Sequence, residues 1–325
     1  MKIRLGYVAM TLSLEDCSPS GSVTYATYEK LQSEQAKQHR RHKVCKKNLE
    51  NTLRILKYNK AMNIQVYRLT SKLIPLATHP ALCGWQYTEE FIDNFREIGL
   101  FIKQNDFRVS AHPDHFTLLN SPLEKVTEAS LNDLDYHVRL FEAMGLEDYR
   151  YKLVLHVGGV YGNKKESLER FCANFTKLPD RIRNRLIIEN DDRSYDTFDV
   201  LELCQKLNIP MVLDVHHHNC LCPNDPIKNV LADVFDTWKN EFYLPIVHFS
   251  SPKSQKDYRS HADLIDFDAF SSFIQTASKL NKDFDVMLEA KSKDKALIKL
   301  SEELALLPYL ERSGYGVFNI DVEKI

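Results

Sequence analysis

The chain has 325 residues, 43% of them hydrophobic and 27% charged, which excludes a disordered protein and supports a sizeable core. Its net charge of −2 excludes coating of nucleic acid by bulk electrostatics, but leaves room for basic groups gathered on one face. Glu15 and Asp16 interrupt the start where a secretory apolar region would continue, and no run approaches membrane-spanning length, so a cytoplasmic address is expected. Seven cysteines, an odd number, read as reduced thiols and not as a disulfide framework.

In chain order, short apolar runs occur at 3–9 (IRLGYVA), 64–69 (IQVYRL), 107–112 (FRVSAH), 152–156 (KLVLH), 185–189 (RLIIE), 211–214 (MVLD), 244–249 (LPIVHF) and 284–289 (FDVMLE). Between them, residues 46–63, 88–102, 130–144, 167–175, 199–207, 227–238 and 266–280 carry apolar side chains near the helical period. Strands alternating with helices imply parallel pairing and right-handed crossovers. Eight such units, with no linker-like stretch, predict one (β/α)8 TIM-barrel domain over 1–325, with its chemistry at the C-terminal ends of the strands.

Polar residues fall where that fold would need them. His112, His156, Glu189, Asp214, His248 and Glu289 each lie in the last residues of a different run. Imidazoles mixed with carboxylates suit a transition-metal ion such as Mn²⁺ or Zn²⁺ better than ions that favour all-oxygen shells. One catalytic Zn²⁺ uses about three protein ligands, whereas adding His79, His217 and His261 brings this inventory to nine. Two or three ions are therefore expected, with Glu189 and Asp214 as candidate bridges. Ions about 3.5–4 Å apart stabilise the attacking and leaving oxygens of an in-line displacement, which points to phosphodiester hydrolysis. Cys220 and Cys222 offer a rival thiolate pair, but a single Cys-x-Cys without a partner pair is a weak metal signal.

The segments SAHPDHF (110–116), LHVGG (155–159), IENDD (188–192), LDVHHHN (213–219), VHFSS (247–251), HADLID (261–266) and MLEAKSKDKAL (287–297) together resemble the ultraviolet damage endonuclease family. The resemblance starts near Ile3 and runs past Lys295. It implies a metal-dependent barrel similar to endonuclease IV, which nicks double-stranded DNA immediately 5′ to cyclobutane dimers and 6-4 photoproducts. By that analogy His112, His156 and Glu189 hold one ion, and Glu189, Asp214, His248 and Glu289 a second. His217 and His261 belong to a third, and His79 is placed at the metal site or on the scissile phosphate. The catalytic set implied is Glu189, Asp214, His248 and Glu289. The cofactor expected is Mn²⁺, with Zn²⁺ or Mg²⁺ as alternatives.

The family's lesion-probing pair, usually Gln and an aromatic, corresponds to His115 and Phe116 here. Some relatives carry a lysine where this chain has Ile246, so metal preference does not transfer directly. Basic residues after strand ends, Lys164, Lys165, Arg193, Lys253, Lys256, Arg259, Lys291 and Lys293, are the expected phosphate contacts. The run KQHRRHKVCKK (37–47) precedes the first predicted helix and reads equally as a backbone contact or a solvated face. A monomer associated with the nucleoid when bound to DNA suffices for such chemistry. An apurinic-site endonuclease, a metal-dependent sugar isomerase and a non-enzymatic DNA-binding module remain the alternatives.

Overall fold

The computed structural model describes residues 1–325. Eight strands form the frame: β1 (Lys2–Val8), β2 (Val66–Leu69), β3 (Arg108–Ala111), β4 (Leu153–His156), β5 (Leu186–Glu189), β6 (Met211–Asp214), β7 (Ile246–Phe249) and β8 (Phe284–Leu288). All are parallel, each pairs with the next, and β8 and β2 both pair with β1, so the sheet closes. Every predicted strand is present, which makes the fold a (β/α)8 TIM barrel.

The helices are α1 (Tyr25–Glu29), α2 (Glu34–Ala61), α3 (Tyr87–Glu90), α4 (Ile92–Gln104), α5 (Glu124–Ala143), α6 (Lys164–Thr176), α7 (Asp180–Arg183), α8 (Thr197–Leu207), α9 (Val215–Leu221), α10 (Leu231–Asp236), α11 (Phe267–Ser278) and α12 (Lys293–Leu304). Two expectations are corrected here. The basic run 37–47 does not precede the first long helix but forms its N-terminal part. Ser33 caps α2 by accepting from the Ala36 amide, and the following Lys, Arg and Gln residues are good helix formers that need no apolar face. The stretch 227–238 is not one helix, because Val230 leaves helical geometry between a 3₁₀ turn and α10. Helices α9 and α12 fall outside the runs read as helical. So does a C-terminal hairpin, β9 (Leu310–Arg312) and β10 (Val317–Ile320), whose second strand pairs antiparallel with Lys2–Arg4 of β1.

Side chains alternate across each strand, so every second residue enters the barrel axis. This produces three layers. At the N-terminal end lies an ionic layer in which the fully buried Asp285 accepts from Arg4 (2.7 Å, twice) and from Arg108 (2.6 Å). The Arg108 guanidinium also sits over the rings of Trp238 and Tyr243. Above it, Val66, Val154, Ile187, Val212, Ile246 and Met287 form an apolar layer with Trp238, separate from the larger core between strands and helices. The next residues along the same strands are Arg68, His156, Glu189, Asp214, His248 and Glu289. Period two thus carries the chain from salt bridge to hydrocarbon to candidate ligand.

Because Asp285 is the shared counterion of the buried Arg108 and the half-buried Arg4, Asp285→Ala strands both. Breaking a buried pair from one side costs about 3–5 kcal/mol. Urea denaturation of this variant is expected to show a loss of that order, and a loss below about 1 kcal/mol would show that the layer is not held by charge.

Candidate metal centre

Glu189 ends β5 and is buried with 1% exposure. Its Oε2 lies 3.2 Å from His112 Nε2 and 3.6 Å from His156 Nε2, while its Oε1 lies 2.8 Å from His248 Nδ1 and 3.8 Å from His217 Nδ1. Three groups of potential ligands have their donor atoms within 4.8 Å of one another: His112, His156 and Glu189; Glu189, Asp214 and His217; Glu189, His248 and Glu289. Glu189 belongs to all three. His261 stands at the edge, its Nδ1 3.9 Å from Glu289 Oε2.

Local folding explains the spacing from Asp214 to His217. Asp214 is both the last residue of β6 and the N-cap of α9, and its Oδ1 accepts from the His217 amide at 2.8 Å. That leaves Oδ2 buried with no hydrogen-bond partner, facing the cluster. Asn190 clamps the strand end from the other side, donating to the Asp214 carbonyl and accepting from its amide. The same Asn190 offers its own carbonyl to His217 Nδ1 at 2.9 Å, and Pro113 does so for His112 Nδ1. Anchoring one ring nitrogen on a backbone carbonyl fixes the tautomer and frees the other nitrogen, as is usual for metal-ligating histidines. After His156 the chain turns sharply at Gly158 (φ +114°), where a Cβ would meet Asn120 Oδ1 at 2.4 Å.

The donor set fits divalent ions, because a buried Asp214 oxygen has no hydrogen-bond partner and imidazoles and carboxylates converge around it. The electrostatics agree. Burial alone raises the Glu189 pKa, but His248 and His156 outweigh it, together with hydrogen bonds from His112 and His248, and hold the carboxyl well below its usual range. Burial also raises Glu289, yet Arg68, which donates to it at 2.6 Å, and His248 hold it low. Burial pushes Asp214 up to about 6 against the pull of His217. His217 itself is driven down by burial but lifted to about 9 by Asp214 and Glu189.

The predicted residues do not all converge. His79 stands apart: it stacks on Tyr25 (4.0 Å between centroids) and accepts from the Ala81 amide, capping a short 3₁₀ turn, so it joins none of the ligand groups. Lys164 pairs with Asp199 and is thereby turned toward α8, and Lys165 shares that outer surface. His115 and the 49%-exposed Phe116 form the tip of the loop after β3, beside a cavity of about 400 Å³ lined by His112, His156, Asp192, Arg193 and His217. Arg193 and Arg259 are exposed and approach Asp192 at 3.6 and 3.8 Å. Lys253 pairs with Asp257, whereas Lys256 and Lys291 are exposed. Lys293 is half-buried in a left-handed conformation (φ 50°), its pKa lowered by burial and by Arg68. His218 spends both ring nitrogens on Thr197 and the Asp225 carbonyl, and is a packing residue. His216 packs among His261, Tyr258 and Cys220. Neither Cys220 nor Cys222 joins a ligand group, and both are free thiols.

Sequence reasoning overlooked Arg68 and Asn190. Arg68 was detectable, since it is the polar residue two positions after Val66 in its strand. Asn190 acts through backbone clamps that its sequence context does not announce.

A (β/α)8 barrel with a candidate divalent-metal cluster at the C-terminal mouth is the class that fold and site define. Within it, the model of the UV-endonuclease UvdE family matches residues 3–317, and the chain belongs to that family. It is 41% identical over 312 residues to the UV DNA damage endonuclease of Bacillus thuringiensis subsp. konkukian (strain 97-27), covering 96% of this chain and 98% of the relative. The crystal structure of SacUVDE superposes with a TM-score of 0.81 at 33% identity, covering 94% of this chain and 100% of that one. An L-ribulose 3-epimerase shares the fold alone, with a TM-score of 0.52 at 13% identity over 82% of this chain and 84% of its own.

Ligands must shed protons before they bind metal. Because His217 carries its proton up to about 9, metal loading near neutral pH is expected to release it, and affinity falls as pH drops from about 9 toward the ordinary histidine value of 6.5. Calorimetry in buffers of different ionisation heat measures this release. Metal affinity that is flat across that window would contradict the assignment of His217.

Proposed function

We propose that this chain is a UV damage endonuclease that hydrolyses the phosphodiester bond immediately 5′ to cyclobutane pyrimidine dimers and 6-4 photoproducts in double-stranded DNA. It acts as one domain, as a monomer, with two or three divalent ions and Mn²⁺ as the first candidate. The observation that carries this reading is Glu189, a buried carboxylate shared by three ligand groups. Such sharing suits a multi-ion phosphodiesterase better than a single-ion centre.

His112 and His156 with Glu189 would hold one ion, as expected; the other groups differ from the expected sets, so that Glu189, Asp214 and His217 would hold a second and Glu189, His248 and Glu289 a third, with His261 beside Glu289 and not paired with His217. Bound there, the ions supply Lewis-acid stabilisation to the attacking and leaving oxygens. The chain's own groups set the remaining conditions. Arg68 neutralises Glu289 and fixes its orientation. Asn190 and Pro113 hold the imidazole tautomers through backbone carbonyls. His115 and the exposed Phe116, beside the cavity at the mouth, would probe the duplex, the phenyl ring as a wedge and the imidazole as a hydrogen-bond donor. A photoproduct weakens the local duplex and lowers the cost of unstacking, so one site can accept two chemically different lesions. Arg193, Lys253, Lys256, Arg259 and Lys291 lie in loops that follow strand ends, and the half-buried Lys293 opens α12 beside them, where the DNA backbone would pass.

Nicking of supercoiled plasmid, irradiated, depurinated or untreated, with and without Mn²⁺, tests the proposal. Incision of the irradiated plasmid that requires metal is expected, with Glu189→Gln folded but about 100-fold slower or more, since loss of even an outer-shell partner of a metal site costs about 10–100-fold. Equal inactivity on all plasmids would sink the reading, and cutting only after depurination would replace it with apurinic-site cleavage.

A further inference from the structure

Helix α2 is longer than its place in the barrel requires. Its 28 residues span about 42 Å, whereas the 7 residues of β1 before it cover only about 23 Å. Its first buried residue is Cys45, so the opening three turns have no part in the core. Those turns and the next hold Lys37, Arg40, Arg41, Lys43, Lys46 and Lys47, with no acid between them.

The cations divide by helical face. Lys37 and Arg41 are committed to the protein: Lys37 pairs with Glu34, and Arg41 lies 3.9 Å above the Trp85 ring with Glu90 beside it. Arg40, Lys43 and Lys47, at i, i+3 and i+7, share another face. They are exposed, form no salt bridge, and line a cavity of about 580 Å³ against the loop that leaves the C-terminal end of β1. One acid, Asp16, lines it with them.

That loop is fixed. Asn48 exchanges hydrogen bonds with the backbone of Gly21, Asn51 donates to the Ser18 carbonyl, and Arg54 donates to the carbonyls of Glu15 and Asp16. Its other flank is tied to the barrel mouth, because Asp294 at the start of α12 accepts from the Leu12 and Ser13 amides. Lys293 is the adjacent residue. The face of Arg40, Lys43 and Lys47 therefore belongs to the same end of the barrel as the ligand cluster and is joined to it by rigid backbone.

We propose that Arg40, Lys43 and Lys47 grip the phosphate backbone of the duplex that flanks the lesion, as a second contact area separate from the loops around the metal cluster. This deepens the DNA-endonuclease reading and rests on it. The three side chains cover roughly 10 Å of helix, and a duplex presents one negative charge per about 1.7 Å of axis, so each cation has a phosphate within reach. Contacts of this kind carry no sequence or damage information. They add affinity and set the line along which DNA approaches.

The test is the salt dependence of binding to an undamaged duplex, measured for the full chain by fluorescence anisotropy. Each phosphate contact contributes about 0.9 to the slope of log K against log salt. The variant R40Q/K43Q/K47Q is expected to lower that slope by about 2–3 and to weaken damaged and undamaged duplexes by the same factor. A control, K103Q/K239Q/K282Q, removes three charges from segments leading into the N-terminal ends of strands and is expected to leave the slope unchanged. A slope for the α2 variant within about 1 of wild type, or an equal fall in the control, would overturn the proposal. Failure of the wild-type protein to nick irradiated plasmid would instead overturn the endonuclease reading, which is read separately from this slope.

Discussion

The buried charge of Glu189 is the constraint on which the rest of this barrel's upper end depends. An ionised carboxylate away from water costs several kcal/mol unless it is compensated, yet neither lysine nor arginine lies within 4 Å of it. All of its close partners are histidines: 112, 156, 217 and 248. The contrast with Asp285 is instructive. That carboxylate, equally buried at the opposite end, is held by Arg4 and Arg108, whose charges do not titrate in the physiological range. One end of the barrel uses permanent counterions and is structural. At the other, Arg68 serves Glu289 alone, and Glu189 is left to imidazoles, which can exchange a proton for a metal ion.

Geometry follows from the sheet. Parallel register sets His156 opposite Glu189 and Asp214 opposite His248, so pairs distant in sequence become neighbours without any loop having to position them. The ligands then inherit the rigidity of the strands, which suits a site that must hold several charges in place. Asp214 adds an economy of its own, since one carboxylate ends a strand, starts a helix and still turns a free oxygen to the cluster.

Much of this was legible in the sequence because the signals are of the kind that tertiary context rarely overrides. Short apolar runs with His, Glu or Asp at or next to their last position can be read directly as strand and ligand, and His112, His156, Glu189, Asp214, His248 and Glu289 do lie together. What escaped reading was structure held by polar groups. The N-terminal part of α2 shows no apolar period because no face of it is buried. The short α9 is called into being by its cap, Asp214, and by nothing in its own composition. His79 carries a ligand's chemistry but sits on a 3₁₀ turn beside Tyr25, a placement that residue type does not reveal. The hairpin of β9 and β10 consists of runs of three and four residues and is stabilised by the free half-edge of β1, which becomes visible only once the barrel has closed.

The hydrocarbon layer that includes Ile246 and Met287 has a further effect. It separates the ionic floor from the ligand cluster, so a charge moving along the barrel axis would have to cross hydrocarbon. The mouth is then the polar side from which the cluster is approached. Anything lying across the mouth would therefore cover the one polar approach to the ligand cluster and slow exchange with solvent there.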